Sequence, residues 1–316
     1  MNNQIRVVPP FIHPGYLNFK HPVFLSLVNA GSNVGKAHFP WRFLHHWSFR
    51  HELPNMRFLG NAGEAILMFV EPVSITFDTF PYYATHEVVP FIWDCWPCYF
   101  DKMEAWLNRH KTRTAIFTSR MEMEEMKRRC PQINMLWCPE AVDGSLYKEG
   151  KALKDRNIDL LEFGRSNEKV LGRIDDSNIN HVCTHVDGKF IYSNEQLYDA
   201  MGDAKITVCL PKSLTHPDVA QGIETLTQRY WEAMLSRMII VGHAPQELID
   251  VCGYNPVIEL PSDVRQTMPL IHEIIDNIEI YQELVDRNRS VALEKGTWAT
   301  RCGYVLDLLK SNGYNW

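Results

Sequence analysis

The stretch GIETLTQRYWEAMLSRMIIVG, residues 222–242, decides how the chain folds. Its second half, RMIIVG (237–242), is a short apolar run closed by glycine, the pattern of a strand covered on both faces. The Arg-aromatic-aromatic-Glu-Ala run before it (229–233) suits a helix that buries most of its body, expected to begin near Thr225. Upstream, KITVCL (205–210) is a second buried strand that ends at Pro211 and opens into a long polar loop. A helix N-terminus offers unpaired N–H groups and the positive end of a dipole, and at the C-terminal edge of a parallel sheet it binds phosphate. Glu224 is expected at the lip of that helix. Glu232, eight residues on, would lie about two turns further along nearly the same face. Acids beside a phosphate site do not hold phosphate. Carboxylates accept hydrogen bonds from the vicinal hydroxyls of ribose and hexoses, and a nucleotide-sugar offers both together with phosphate.

Working outward, the same alternation continues in both directions. AILMFV (65–70), EVVPFIW (87–93), TAIFTS (114–119) and INMLWC (133–138) are expected strands, with helices in YFDKMEAWLNRHK and RMEMEEMKRRC between them. IDLLEFG (158–164), HVCTHV (181–186), KITVCL, RMIIVG and NPVIEL (255–260) form a second such series. Short continuous apolar runs separated by helices indicate an α/β chain with two doubly wound, Rossmann-like parallel sheets. The polar stretch PEAVDGSLYKEGKALKDRN (139–157) is the expected linker, giving domains of 1–145 and 146–316. The closing stretch, EIYQELVDRNRSVALEKGTWATRCGYVLDLLK, is expected to be one or two amphipathic helices.

The chain has 316 residues, 45% apolar and 22% charged, an ordinary globular composition long enough for two domains. A net charge of -6 supplies no global basic field, so no nucleic-acid partner is expected. No apolar run approaches the roughly 18 to 20 residues of a membrane span, and the N-terminus lacks the pattern of a secretory signal, so a cytoplasmic location is expected. The eight cysteines are scattered, as suits reduced packing residues. CWPC (95–98) has redox-motif spacing, and Cys130 and Cys138 would complete four thiols, but the gap between them is not usual zinc spacing. Within residues 1–60, VFLSLVN (23–29) is a candidate strand leading into AGSNVGKAHF. That loop misses the NTPase phosphate-binding pattern by one residue between its glycines and by Ala37 at the hydroxyl position. The segment Lys36 to Arg57 combines Trp41, Phe43, Trp47, Phe49 and four histidines with four Lys/Arg and one acid, so it is a candidate peripheral membrane contact or sugar-stacking surface beside the plainer reading of a packed helix with a basic face.

These residues resemble a known family. GIETLTQRYWEAMLSRMIIVG is similar to the E-x7-E element of group 1 retaining glycosyltransferases, which have two Rossmann-like domains facing across a cleft, the GT-B architecture. The likeness extends through the following HAPQELID and CGYNPVIELPSD, and upstream to LLEFGRSNEKV and SNEQLYDAMGDAKITVCLP, about residues 133–312 in all. It implies that Arg165 and Lys169 neutralise the donor diphosphate, where charge grows as the leaving group departs. It implies that Glu232 binds the ribose hydroxyls and Glu224 the donor sugar. The amides of Thr225, Leu226 and Thr227 would cradle the phosphate, with Arg229 and Lys212 as further donor contacts. No metal or other cofactor is implied, since cations and the helix dipole take that role. The family usually has glycines where this chain has Thr225, Thr227 and Arg237. Where it often has a strand ending in His-Asp, this chain has Trp93-Asp94, so Asp94 is the candidate for orienting an acceptor hydroxyl. His243 follows a strand end, where it could point into the cleft, and a structural role is the favoured reading.

The implied activity is retaining transfer of a hexose from a nucleoside-diphosphate sugar to a glycan or lipid-linked saccharide. Two rivals keep the fold: a nucleotide-sugar epimerase or hydrolase, which would need paired acids in the first domain, and a non-catalytic nucleotide-binding subunit, suggested by the altered glycines.

Overall fold

The computed structural model describes residues 3–10, 20–35, 51–57, 63–164, 167–168, 178–186, 189–190 and 192–316. The chain divides into two compact units, Met1–Glu140 with Trp298–Trp316, and Ala141–Thr297.

The first unit opens with strand β1 (Asn3–Val7) and helix α1 (Lys20–Asn29). It continues through β2 (Glu64–Val70), β3 (Glu87–Ile92), α2 (Phe100–Arg109), β4 (Thr114–Phe117), α3 (Arg120–Arg129) and β5 (Asn134–Trp137). β1 to β5 pair in sequence order, all parallel. Every residue of β3 and β4, and all but the first of β2, is buried, which is why these strands are continuous apolar runs.

The candidate strand at 23–29 is a correction: it lies within α1. Val23, Phe24 and Leu27 are buried while Leu25 is 46% exposed, so one helical face meets the core. A short apolar run does not distinguish strand from helix by periodicity. The strand of this region is β1, whose Ile5 and Val7 are buried. The glycine loop that follows α1 serves this strand: the Gly35 amide donates to the Val7 carbonyl at 2.8 Å, and a Cβ at Gly35 would stand 2.9 Å from Val8 Cγ2.

The second unit runs through β6 (Ile158–Glu162), β7 (His181–Cys183), the short antiparallel pair β8 (His185–Val186) and β9 (Lys189–Phe190), α4 (Asn194–Asp203) and β10 (Ala204–Cys209). The expected strand 181–186 thus breaks at Thr184. Next come α5 (Gln228–Leu235), β11 (Ile239–Gly242), α6 (Gln246–Cys252), β12 (Val257–Glu259), α7 (Thr267–Asp276) and α8 (Gln282–Lys295). The parallel order is β12-β11-β10-β6-β7. The winding direction therefore reverses between β6 and β10, and in open α/β sheets ligands bind beyond the strand C-termini at such a reversal. α5 buries Tyr230, Trp231, Ala233, Met234 and Leu235 into the core of this unit. Gly296, just past α8, is needed there, because a Cβ would sit 2.4 Å from the Trp231 ring.

The chain then re-enters the first unit as α9 (Trp298–Ser311) and β13 (Tyr314–Asn315), which pairs in parallel with β1. The Tyr314 hydroxyl donates to the buried carboxylate of Glu87 at 2.6 Å, and Arg113 pairs with the same carboxylate. The closing stretch is thus two helices, shared between the two units.

Candidate functional site

The polar groups at the strand ends of the second unit collect around the reversal point. Arg229, on α5, is only 8% exposed, and its Nη2 donates to the Leu210 carbonyl at 2.9 Å, just past β10. Its side chain also lies over Gly164, just past β6, where a Cβ would come 2.7 Å from Arg229 Cδ. Gly164 has φ +73, a left-handed conformation that glycine adopts without strain. Buried Asn167 donates to the Val208 carbonyl at 3.2 Å and ties the same loop to β10. Arg165 and Lys169 lie outside the described residues.

Glu232 stands on α5. Tyr147, from the segment that opens this unit, donates its hydroxyl to Glu232 Oε1 at 2.8 Å, and its ring meets Tyr198 edge-on. Burial pushes the Glu232 carboxyl above its ordinary value of 4.5, while the Tyr147 hydrogen bond and the Arg229 charge oppose that rise. Burial and the facing carboxylate also push the Tyr147 hydroxyl up, so it remains a donor.

Glu224 departs from the sequence-based expectation in its placement. α5 begins at Gln228, with Thr227 as an extended N-cap whose side chain makes no capping bond, so Glu224 and Thr225 precede the helix. The two acids therefore do not share a helical face. The loop carrying Glu224 follows left-handed Gln221 (φ 46) and Gly222 (φ 85). β-branched Thr225 and Thr227 favour extended backbone over a helix start. Buried Glu247, on α6, accepts the Leu226 amide at 3.1 Å. One amide of the expected phosphate cradle is thus bound to a carboxylate of the protein.

Glu224 meets other partners. Ser213, beside Lys212 in a single helical turn (Lys212–Thr215) after β10, donates to Glu224 Oε1 at 3.4 Å. His243, immediately after β11, places Nε2 at 3.2 Å from the same oxygen and Nδ1 at 3.0 Å from Glu259 Oε2 at the end of β12. Sequence reading assigned His243 to structure and passed over Glu259 and Tyr147. Only strand adjacency and long-range packing connect these residues to the two acids.

Asp94 belongs to the first unit. It follows β3 in a left-handed conformation (φ 54), exposed, and its carboxylate accepts from the Trp96 indole at 3.0 Å. The neighbouring Cys95 is buried, and its thiol is pushed well up by that burial, opposite to the lowered value of a reactive thiolate. Cys138 is likewise buried and pushed up to about 12. Both behave as packing residues.

Of the basic aromatic segment, residues 36–50 lie outside the described residues. The remainder is tied to the first unit: the Leu53 amide donates to the Tyr83 hydroxyl at 2.8 Å, and Glu52 pairs with Arg109. Among the described residues, no helix is long and apolar enough to cross a membrane.

With two parallel α/β sheets and a reversal point edged by acids and cations, the chain has the fold of the GT-B glycosyltransferases. Solved structures with this fold match over nearly the whole chain. A sucrose-phosphate synthase from Thermosynechococcus elongatus is 11% identical with a TM-score of 0.61, covering 98% of this chain and 99% of that one. An alpha-glucosyltransferase in complex with UDP and a 13-mer DNA containing a HMU base is 10% identical with a TM-score of 0.58, over 98% and 100% of the two chains. An E. coli trehalose-6-phosphate synthase bound with UDP-2-fluoro glucose is 8% identical with a TM-score of 0.60, over 97% and 99%. At these identities the likeness establishes the fold alone. No family model matches the sequence, and no curated protein does.

Proposed function

We propose that the chain is a retaining glycosyltransferase that moves a hexose from a nucleoside-diphosphate sugar to a hydroxyl of a glycan or lipid-linked saccharide. The observation that carries this reading is the Glu232 carboxylate, held by Tyr147 and close enough to Arg229 to feel its charge, on the helix that braces the β6–β10 reversal. A carboxylate so placed suits a ribose diol beside a diphosphate. Arg165 and Lys169 would neutralise the diphosphate, with Lys212 and the Thr225–Thr227 segment as further contacts. Glu224 would read the sugar hydroxyls, and Asp94 would orient the acceptor.

In this mechanism the bond between the anomeric carbon and the diphosphate oxygen breaks. The departing phosphate oxygen takes the proton of the incoming hydroxyl on the same face, and the new glycosidic bond keeps the configuration. The work of the protein is placement and charge stabilisation, with no metal required. A net charge of -6 disfavours a polyanionic acceptor such as the DNA in one of the similar structures. The basic aromatic segment 36–57 fits a membrane-proximal acceptor, a reading that vesicle flotation without binding would remove.

The test is a thermal-shift panel of UDP, GDP, CDP and their glucose conjugates on wild type and Glu232→Ala. A ligand at about a hundred times its dissociation constant stabilises by about 2.7 kcal/mol. Stabilisation of wild type alone supports the reading, and no shift with any nucleotide rejects it. The Glu247 carboxylate on the Leu226 amide favours a second reading, a nucleotide-binding subunit without transfer activity. Nucleotide binding with neither transfer nor hydrolysis at high protein concentration would select it.

A further inference from the structure

We propose that His243 is a positioning residue that places Glu224 against the donor sugar, held for that task by Glu259. This deepens the nucleotide-sugar reading and rests on it.

The argument starts from what holds each member of the cluster. Glu259 accepts at Oε1 from the Ala244 amide at 3.1 Å and from Asn255 Nδ2 at 3.0 Å, and at Oε2 it faces His243 Nδ1. His243 is equally fixed through its backbone. Its amide donates to the Cys209 carbonyl at 3.1 Å, and its carbonyl accepts from the buried Tyr230 hydroxyl at 2.6 Å. Gly242 before it permits a very close approach of β11 to β10, since a Cβ there would stand 1.9 Å from the Cys209 oxygen. The imidazole therefore projects from a hydrogen-bonded edge of the second sheet, where β10, β11 and β12 end together.

Glu224 reaches this edge from a loop. It precedes α5 instead of riding on it, and the loop is entered through two left-handed residues. His243 Nε2 and the Ser213 hydroxyl both meet its carboxylate at Oε1. The imidazole thus ties a loop acid to the edge of the sheet. The charged groups facing the ring are Glu224 from the loop and Glu259 from β12, and α5 contributes the Tyr230 hydroxyl at the backbone carbonyl. The ring bridges the two carboxylates, with Nε2 toward Glu224 and Nδ1 toward Glu259.

The measurement compares affinity for a nucleoside diphosphate with affinity for its glucose conjugate. Calorimetry would use whichever of the UDP, GDP and CDP pairs stabilises wild type, with His243→Ala, His243→Gln and Glu259→Gln. His243→Ala should weaken binding of the glucose conjugate by about tenfold while the free diphosphate changes less than about twofold, since hydrogen bonds to charged groups are of that size. Glu259→Gln should give a smaller loss in the same direction. His243→Gln, which keeps one side-chain donor, should recover part of the preference for the conjugate. Equal loss for both ligands, or no loss for either, would overturn the proposal with the donor reading intact. Wild type that binds none of the pairs would overturn both.

Discussion

Two strand ends in this protein have the same architecture and opposite chemistry. Beyond β3 of the first unit, the chain turns through Trp93, Asp94 and Trp96. Trp93 is buried and packs within 6.3 Å, ring centre to ring centre, of Phe69, Phe91 and Trp298. Beyond β11 and β12 of the second unit, the corresponding places hold His243 and Glu259, joined to Glu224 and each partly open to solvent. Both sheets are parallel and covered, so the fold supplies each with a strand-end edge. The residues placed there decide whether that edge is an apolar plug or a polar site.

Four experiments break or sharpen this contrast. The largest effect belongs to the tryptophans that anchor the two units. Trp93→Ala and Trp231→Ala should each cost about 3 to 5 kcal/mol in denaturant unfolding, because both side chains are buried. If only one did so, the two cores would not be equivalent supports. Next, Glu232→Ala should lower nucleotide-sugar turnover by about a hundredfold or more while the melting transition survives, and Arg165→Ala should do the same. Full activity in either would move the site elsewhere.

A smaller effect is expected from pH. Burial favours the neutral form of Glu232, so its folded pKa lies above the unfolded one. As pH falls, the carboxylate takes a proton earlier than an exposed glutamate and ceases to accept the ribose hydroxyls. The acid limb of kcat/KM should therefore lie above 4.5 and vanish in Glu232→Gln. Stability runs the other way: the preference of the native state for protonated Glu232 is fully present below the unfolded pKa and is lost as pH rises through the folded one. Tyr147→Phe removes a bond that lowers this pKa, so the limb should move further up, with about 1.5 kcal/mol of stability lost in urea unfolding. The smallest effect should come from Asp94→Asn, about tenfold in kcat with nucleotide affinity unchanged, as suits an acceptor-side group. A change in nucleotide affinity would erase the distinction between the two strand ends.

The fold was legible wherever burial on both faces left continuous apolar runs, as in AILMFV, KITVCL and MIIVG. It was less legible where the apolar run was helical, in α1, and where polar Asn3, Gln4 and Arg6 disguised β1 as an irregular N-terminus. In the site, the two acids were visible and their company was not. Tyr147 is 85 positions from Glu232, and Glu259 is 16 from His243, so neither pairing leaves a local pattern. The start of α5 was read about three residues too early, directly after the polar loop that follows Pro211. Thr225, Thr227 and the Glu247 carboxylate on the Leu226 amide hold that entry open instead.

The route of the chain has a consequence for synthesis. Val142 pairs with Thr297 and its amide donates to the Gly296 carbonyl at 3.0 Å, so the entry and exit of the second unit lie side by side. In the order of translation, that unit is an insertion within the first. The first sheet stays one strand short, with Glu87 lacking the Tyr314 hydroxyl, until α9 and β13 leave the ribosome. The second unit, whose residues all precede α9, is complete in sequence while the first still lacks its last strand.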